Sequence, residues 1–291
     1  MRRTFGLMSI TCLLVGTVAA QERPLPEREA FLRETRRHLQ TDTSLQSSYV
    51  FVETRREQKL DSQGRVQEES VQVFENYPGL PGEMRWERLI AEDGQPRPAA
   101  ELEKVDRDRQ RQAEAIARRL TEQPVKERAR QERDRAERQQ EFDAVIADIF
   151  LVFDIEMLGR ETIEGHETIA LSLTPRPQAK PQTREGRQMQ KFAIRAWISE
   201  SDHELVRLDA EVIDTLTTGF GLLARLHKGS QLSFLRRRVN DEVWMPAFVQ
   251  FRGTARVGLV RTLRRSGTSE FSDYRKFSVD TNITYQPPAA E

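Results

Sequence analysis

Phe192-Ala193-Ile194-Arg195-Ala196-Trp197-Ile198-Ser199, the turn Glu200-Ser201-Asp202-His203, and Glu204-Leu205-Val206-Arg207-Leu208-Asp209-Ala210-Glu211-Val212 form the stretch that decides the fold. Phe192, Ile194, Ala196 and Ile198 fall on one side of the first run, with Arg195 and Trp197 on the other. In the second run Val206, Leu208, Ala210 and Val212 alternate with Arg207, Asp209 and Glu211. A period of two is that of a strand with one buried face. Two such strands joined by a short polar turn predict an antiparallel hairpin.

The same pattern extends outward. Upstream, Ile169, Leu171 and Leu173 alternate after a turn at Glu164-Gly165-His166. Further back, β-rich runs over 49–57, 65–77 and 83–91 are separated by Asp61-Ser62-Gln63-Gly64 and Tyr77-Pro78-Gly79-Leu80-Pro81-Gly82. Downstream, runs over 230–239 and 243–255 flank Asn240-Asp241, and 256–263 and 269–277 follow. A short apolar, Gly-rich piece at 218–226 interrupts the meander. Phe31, Leu32, Thr35 and Leu39 recur at helical spacing near the N-terminus. The fold class expected is α+β: an open, curved antiparallel sheet of about nine to eleven strands with covering helices.

Residues 99–143 differ in kind. Acids and bases alternate there at three- and four-residue spacing, as in Glu114–Arg118 and Asp134–Arg138, which supports a solvated helix. Pro124 breaks it near the middle. The expectation is a charged helical hairpin or arm inserted between strands. Phe142, Val145, Ile146, Ile149 and Phe153 then share one helical face, as in a short buried helix.

The N-terminus has the order of a secretory signal: Arg2-Arg3, an apolar core, then Val18-Ala19-Ala20 before the polar Gln21-Glu22-Arg23-Pro24. Residues 1–20 are expected to be a cleaved signal peptide and the protein periplasmic. The single cysteine, Cys12, lies in the signal core, so the mature chain has no thiol for disulfides or metal ligation. Of 46 basic residues the signal takes Arg2 and Arg3, leaving 44 against 46 acidic ones. That balance excludes a general nucleic-acid binder. No other apolar run reaches the length of a spanning helix, so no membrane-spanning segment is expected.

Catalytic and metal motifs are missing from the sequence. His38, His166, His203 and His227 form no ligand-spaced pair and are expected on the surface. No nucleophile elbow, P-loop or dinucleotide fingerprint occurs, and neither a cofactor nor an enzymatic activity is expected. The unusual feature is apolar. Trp197 and Trp244 fall on the face opposite the aliphatic stripe. Phe248 shares the parity of Trp244, while Met245, Val249 and Phe251 take the other. A sheet apolar in places on both faces needs a second layer or a ligand.

The hairpin over 192–212 resembles one that recurs in the LolA/LolB-like superfamily of periplasmic lipoprotein carriers. Phe220-Gly221-Leu222-Leu223-Ala224-Arg225-Leu226, Gly229-Ser230, Val243-Trp244-Met245-Pro246 and Phe271-Ser272-Asp273-Tyr274-Arg275-Lys276-Phe277 are similar to exported outer-membrane lipoprotein-sorting proteins. The resemblance covers about residues 28–278. It implies a half-barrel whose helices close the mouth of an apolar concavity for acyl chains, in a single LolA-like domain over 21–280. The charged insertion departs from that pattern, and 281–291 reads as a disordered tail.

The function expected is an exported carrier or sensor that binds lipid or lipoprotein acyl chains. Phe192, Ile194, Ile198, Phe234, Met245 and Phe251 are the expected cavity lining. The alternative is a structural protein of the cell envelope with a filled core, which binds a partner protein through 99–143.

Overall fold

Residues 23–39, 43–79, 85–122, 124–218, 224–257 and 261–276 are described by a computed structural model of the chain. The expected signal peptide (1–20) and C-terminal tail (281–291), residues 80–82 of the expected turn, 83–84 of the expected strand after it, and 219–223 of the Gly-rich piece lie outside them.

Thirteen strands form one sheet among the described residues. In chain order they are β1 (Tyr49–Leu60), β2 (Val66–Tyr77), β3 (Trp86–Glu92), β4 (Gln95–Pro96), β5 (Phe153–Ile163), β6 (His166–Pro175), β7 (Phe192–Ser199), β8 (Leu205–Val212), β9 (Leu216–Thr218), β10 (Ala224–Leu226), β11 (Gln231–Val239), β12 (Val243–Val257) and β13 (Arg261–Lys276). Their spatial order is β4-β3-β2-β1-β13-β12-β11-β8-β7-β6-β5, all antiparallel, with β10 and β9 attached beside β12. The ends β4 and β5 do not pair, so the sheet stays open. The count exceeds nine to eleven because β4, β9 and β10 have two or three residues each, too few for alternation to be visible. The long-range step is β1 on β13, which joins the two ends of the chain in register from Val52–Ser272 to Leu60–Arg264.

Glu164 and Gly165 both take positive φ, 50° and 80°, and close the β5–β6 hairpin in two residues. That backbone matches strand twist.

Among the described residues five helices accompany the sheet: α1 (Arg28–His38), α2 (Thr43–Gln46), α3 (Ala99–Thr121), α4 (Val125–Val152) and α5 (Arg184–Met189). The side chain of Glu27 caps α1 by accepting from the amides of Glu29 and Ala30. Pro124 stands at the N-cap of α4, where its missing N–H is no loss.

The region 99–152 departs from expectation in two ways. There is no separate short helix: α4 runs 28 residues and passes from Val152 straight into β5, where Phe153 is already strand. Phe142 is exposed, while Ile146 and Val152 are buried. Nor do α3 and α4 pack along their length as a hairpin. α3 instead touches the sheet: Arg88 bridges Glu75 of β2 and Asp106 of α3 at 2.8 and 2.7 Å, and the Arg109 guanidinium lies 5.3 Å over the Trp86 ring.

The main core forms where helices meet one face of β5–β7. Phe31 of α1 and Val152 of α4 are buried with Phe153, Ile155, Ile169, Leu171, Leu173, Ala196 and Ile198. Leu32, Ile149, Phe150 and Met189 pack around them. A second cluster joins Tyr49, Phe51, Val239, Val243 and Met245, with Phe271 and Tyr274 against it.

Asp148, 1% exposed on α4, ties α5 to this core. It accepts from the amides of Gln182 and Thr183 and from the Thr183 hydroxyl at 3.0, 2.8 and 2.6 Å. Thr183 in turn caps α5 at Gly186, and a Cβ on Gly186 would overlap the Asp148 carboxylate. Burial pushes the carboxyl upward, but the bonds from Thr183 and Gln182 outweigh it and hold Asp148 below its usual range. A group depressed in the fold contributes stability above its unfolded pKa and loses it as pH falls through the folded one. Urea unfolding should therefore show a stability loss below about pH 4 that Asp148→Asn reduces. At neutral pH that variant should be destabilised by about 1–3 kcal/mol. Equal acid dependence in both proteins would contradict this role.

Candidate functional site

Residues directly opposite in a ladder share a face, so the register turns the sheet into rows. One row runs Leu173, Ile194, Ala210, Leu232, Phe251, Gly267 across β6, β7, β8, β11, β12 and β13. The next runs Leu171, Ala196, Leu208, Phe234, Val249, Ser269. From β6 to β12 both rows are wholly apolar over five strands, about 19 Å at the usual strand spacing. They end on β1 at Glu57 and Arg55, opposite Gly267 and Ser269.

Coverage of these rows is uneven. On β6 and β7 they lie under α1 and α4, in the main core. On β11 and β12 they do not: Phe234, Val249 and Phe251 are only half-buried, and Leu232 is 36% exposed. A groove of about 230 Å³ opens there, floored by Val249, Phe251 and Gly267 and rimmed by Arg55, Glu57 and Arg265. Gly267 leaves the floor open, as only a glycine does without a side chain. The charged rim belongs to an amphipathic cleft, with an apolar floor and polar groups at its edge.

The position of α1 over the sheet depends on a buried polar network. Arg236 of β11 donates to Glu204 at 3.1 Å and to the carbonyl oxygens of Trp244 and Leu205 at 2.7 and 3.2 Å. The other Glu204 oxygen lies 3.2 Å from His38 Nδ1, at the end of α1. His203 packs between this histidine and Phe31. Removing one partner of such a pair leaves a buried charge, at a cost of about 3–5 kcal/mol.

The two tryptophans are covered without a ligand. Trp197 lies between the guanidinium groups of Arg195 and Arg207, each 4.9 Å from its ring, and donates to Glu161 at 2.8 Å. Trp244 donates to Asp202 at 3.0 Å and packs edge-on against His166, 4.7 Å away. His38, His166 and His203 are thus partnered and half-buried, not the plain surface groups expected. Among the described residues no group of three His, Cys, Asp or Glu is placed to hold a metal ion, and no helix is long and apolar enough to cross a membrane.

The expected lining residues fall in several places. Ile198 is in the main core and Ile194 packs against it. Phe192 is half-buried opposite Val212. Phe234 and Phe251 stand in the uncovered part of the rows. Met245, 1% exposed, belongs to the second cluster. The expected even alternation over 244–251 is interrupted. A bulge in β12 sets Phe248 opposite Leu235 but Pro246 opposite Arg236, so Ala247 is an extra residue. Met245, opposite Arg237, packs into the second cluster with Tyr49 and Phe51 rather than beside Val249 and Phe251. Pro246 has no N–H for the ladder, which favours a bulge at that point. The signal for it was Pro246 itself. Leu232 and Val249, absent from the expected lining, are found only once β11 is placed beside β12.

No protein-family model matches the chain, and no curated protein does. The chain is similar to solved structures, among them the following three. For an outer membrane lipoprotein-sorting protein domain from Vibrio parahaemolyticus, identity is 8% and TM-score 0.31, covering 87% of this chain and 93% of that one. For a DUF1329 family protein from Desulfovibrio piger the figures are 11%, 0.29, 88% and 95%. For a LolA superfamily protein from Nitrosomonas europaea they are 8%, 0.26, 86% and 93%.

The bulge separates two apolar residues that look equivalent in sequence. Met245→Asp should abolish cooperative unfolding, because it buries an unpaired charge. Phe251→Asp, beside open solvent, should keep the β-type circular dichroism and a cooperative transition. Equal loss of folding in both would show that the groove is part of the closed core.

Proposed function

We propose that this protein is an exported binding protein that holds an acyl chain, of a lipid or a lipoprotein, along the uncovered part of its apolar rows, as a carrier or sensor. The observation that carries the reading is the continuity of the two rows, from a core sealed by α1 and α4 to a groove that no described helix covers. An apolar chain laid along them removes apolar surface from water, at roughly 0.8 kcal/mol for each CH₂ buried. The floor of Phe234, Val249 and Phe251 selects for hydrocarbon, while Arg55, Glu57 and Arg265 meet the polar end or the solvent. In this reading the protein performs no chemistry on its ligand, and the N-terminal signal takes it to the periplasm.

A second binding surface, for an envelope protein, is α3 with the first part of α4. Its helices carry exposed ion pairs such as Glu103–Arg107 and Asp108–Arg111, which contribute little to stability. Such an exposed, charged surface suits a partner of complementary charge.

A fluorescent fatty-acid probe should bind the mature protein saturably and be displaced by unlabelled fatty acid. Phe251→Asp should weaken binding by about tenfold or more while the protein stays folded. Absence of saturable binding by the folded wild type would favour the filled-core alternative.

A further inference from the structure

One end of the sheet is strongly basic and is not used by the acyl-chain reading. The β1–β2 turn, the turn between β10 and β11, and the adjoining parts of β12 and β13 meet there around a groove of about 410 Å³. Ser62, Gly64, Lys228, Arg252 and Arg264 line it.

The register explains how the cations come together. Arg264 stands opposite Thr254, two residues along β12 from Arg252, so both arginines share a face. Gly229, with φ of 84°, turns the chain so that Lys228 borders the same groove. Gly64, with φ of 81°, brings the β1–β2 turn onto Arg252: a Cβ there would lie 3.6 Å from the Arg252 Nη2 atom. One strand farther out, Arg225 and Arg256 are directly opposite each other.

Neighbouring cations are held in ion pairs. Arg65 pairs with Asp61, Lys59 with Glu68, and Arg265 with Glu57. Among the described residues Lys228, Arg252 and Arg264 form no ion pair. Glu211 stands opposite Gln231 at the rim, and Asp214, which pairs with Lys191, also feels the charge of Lys228. Like charges held side by side on a sheet are destabilising, so their assembly favours a polyanionic ligand that relieves the repulsion. Two guanidinium forks offer bidentate geometry to phosphate oxygens, and Lys228 adds a point charge. The Ser62 hydroxyl is a further donor on the same rim.

We propose that this groove binds a phosphate group, carried either by a small molecule or by a lipid headgroup. The site stands on its own charges and does not depend on the apolar groove holding an acyl chain. The test is titration of the mature full chain with inorganic phosphate at fixed ionic strength set with chloride, so that screening is constant. In parallel, flotation with phosphatidylcholine vesicles, with and without phosphatidic acid, reads the lipid source. Arg252→Gln and Arg264→Gln are the variants and Arg65→Gln is the control; circular dichroism and thermal unfolding confirm that each folds. Saturable binding of inorganic phosphate, weakened at least about tenfold by either variant and unchanged in the control, supports a site for free phosphate groups. Flotation that requires phosphatidic acid and is lost in both variants supports a headgroup site. Binding to neither probe overturns the proposal, as does binding that the double variant retains.

Discussion

A one-layer sheet has two faces, and this chain has apolar side chains for one of them and helices for half of that one. Every other feature follows from the shortage. Alternation places leucine, isoleucine, valine and phenylalanine on a single face from β6 to β12. The helical groups that cover it come from short pieces: Phe31 and Leu32 of α1, and Ile149, Phe150 and Val152 at the end of α4. They seal β5–β7 and the start of β8, and leave Leu232, Phe234, Val249 and Phe251 uncovered. The other face is supplied with charge instead, and its Trp197 is covered by Arg195 and Arg207.

Two polar devices hold the partial cover in place. Asp148 fastens α5 to α4, and the Arg236–Glu204–His38 chain fastens α1 to β11. Both bury charge, which is tolerable because each carboxylate is met by several donors or by a guanidinium. The Ala247 bulge does the complementary work at the far end. It sends Met245 into the second cluster and leaves Phe251 beside open solvent. A closed core and an open groove are thereby built from one continuous strand.

Much of this was legible in the sequence. The hairpin over 192–212, the hairpin turning near Glu164-Gly165 and the antiparallel meander are consequences of period-two alternation and turn chemistry, both local. The helix break at Pro124 was legible for the same reason. What local pattern does not carry is partner choice. Nothing in residues 49–60 says that they pair with 264–276, and nothing in Leu232 or Val249 says that they continue a row begun at Leu173 and Leu171. Parity also fails across a bulge, since one extra residue reverses every side chain beyond it. The histidines misled for a similar reason: His38 and His203 are 165 residues apart in sequence and become neighbours only when the end of α1 packs on the turn between β7 and β8.

The central claim is that the uncovered half of the apolar face, not the charged helices and not the sealed core, is where a hydrocarbon chain lies. The most direct measurement is photo-crosslinking with a diazirine fatty acid, followed by peptide mapping of the adducts by mass spectrometry. The account predicts adducts on peptides of β11, β12 and β13 carrying Phe234, Val249 and Phe251, competed by unlabelled fatty acid. Competable adducts confined to α3 and α4, or none on those three strands, would contradict it.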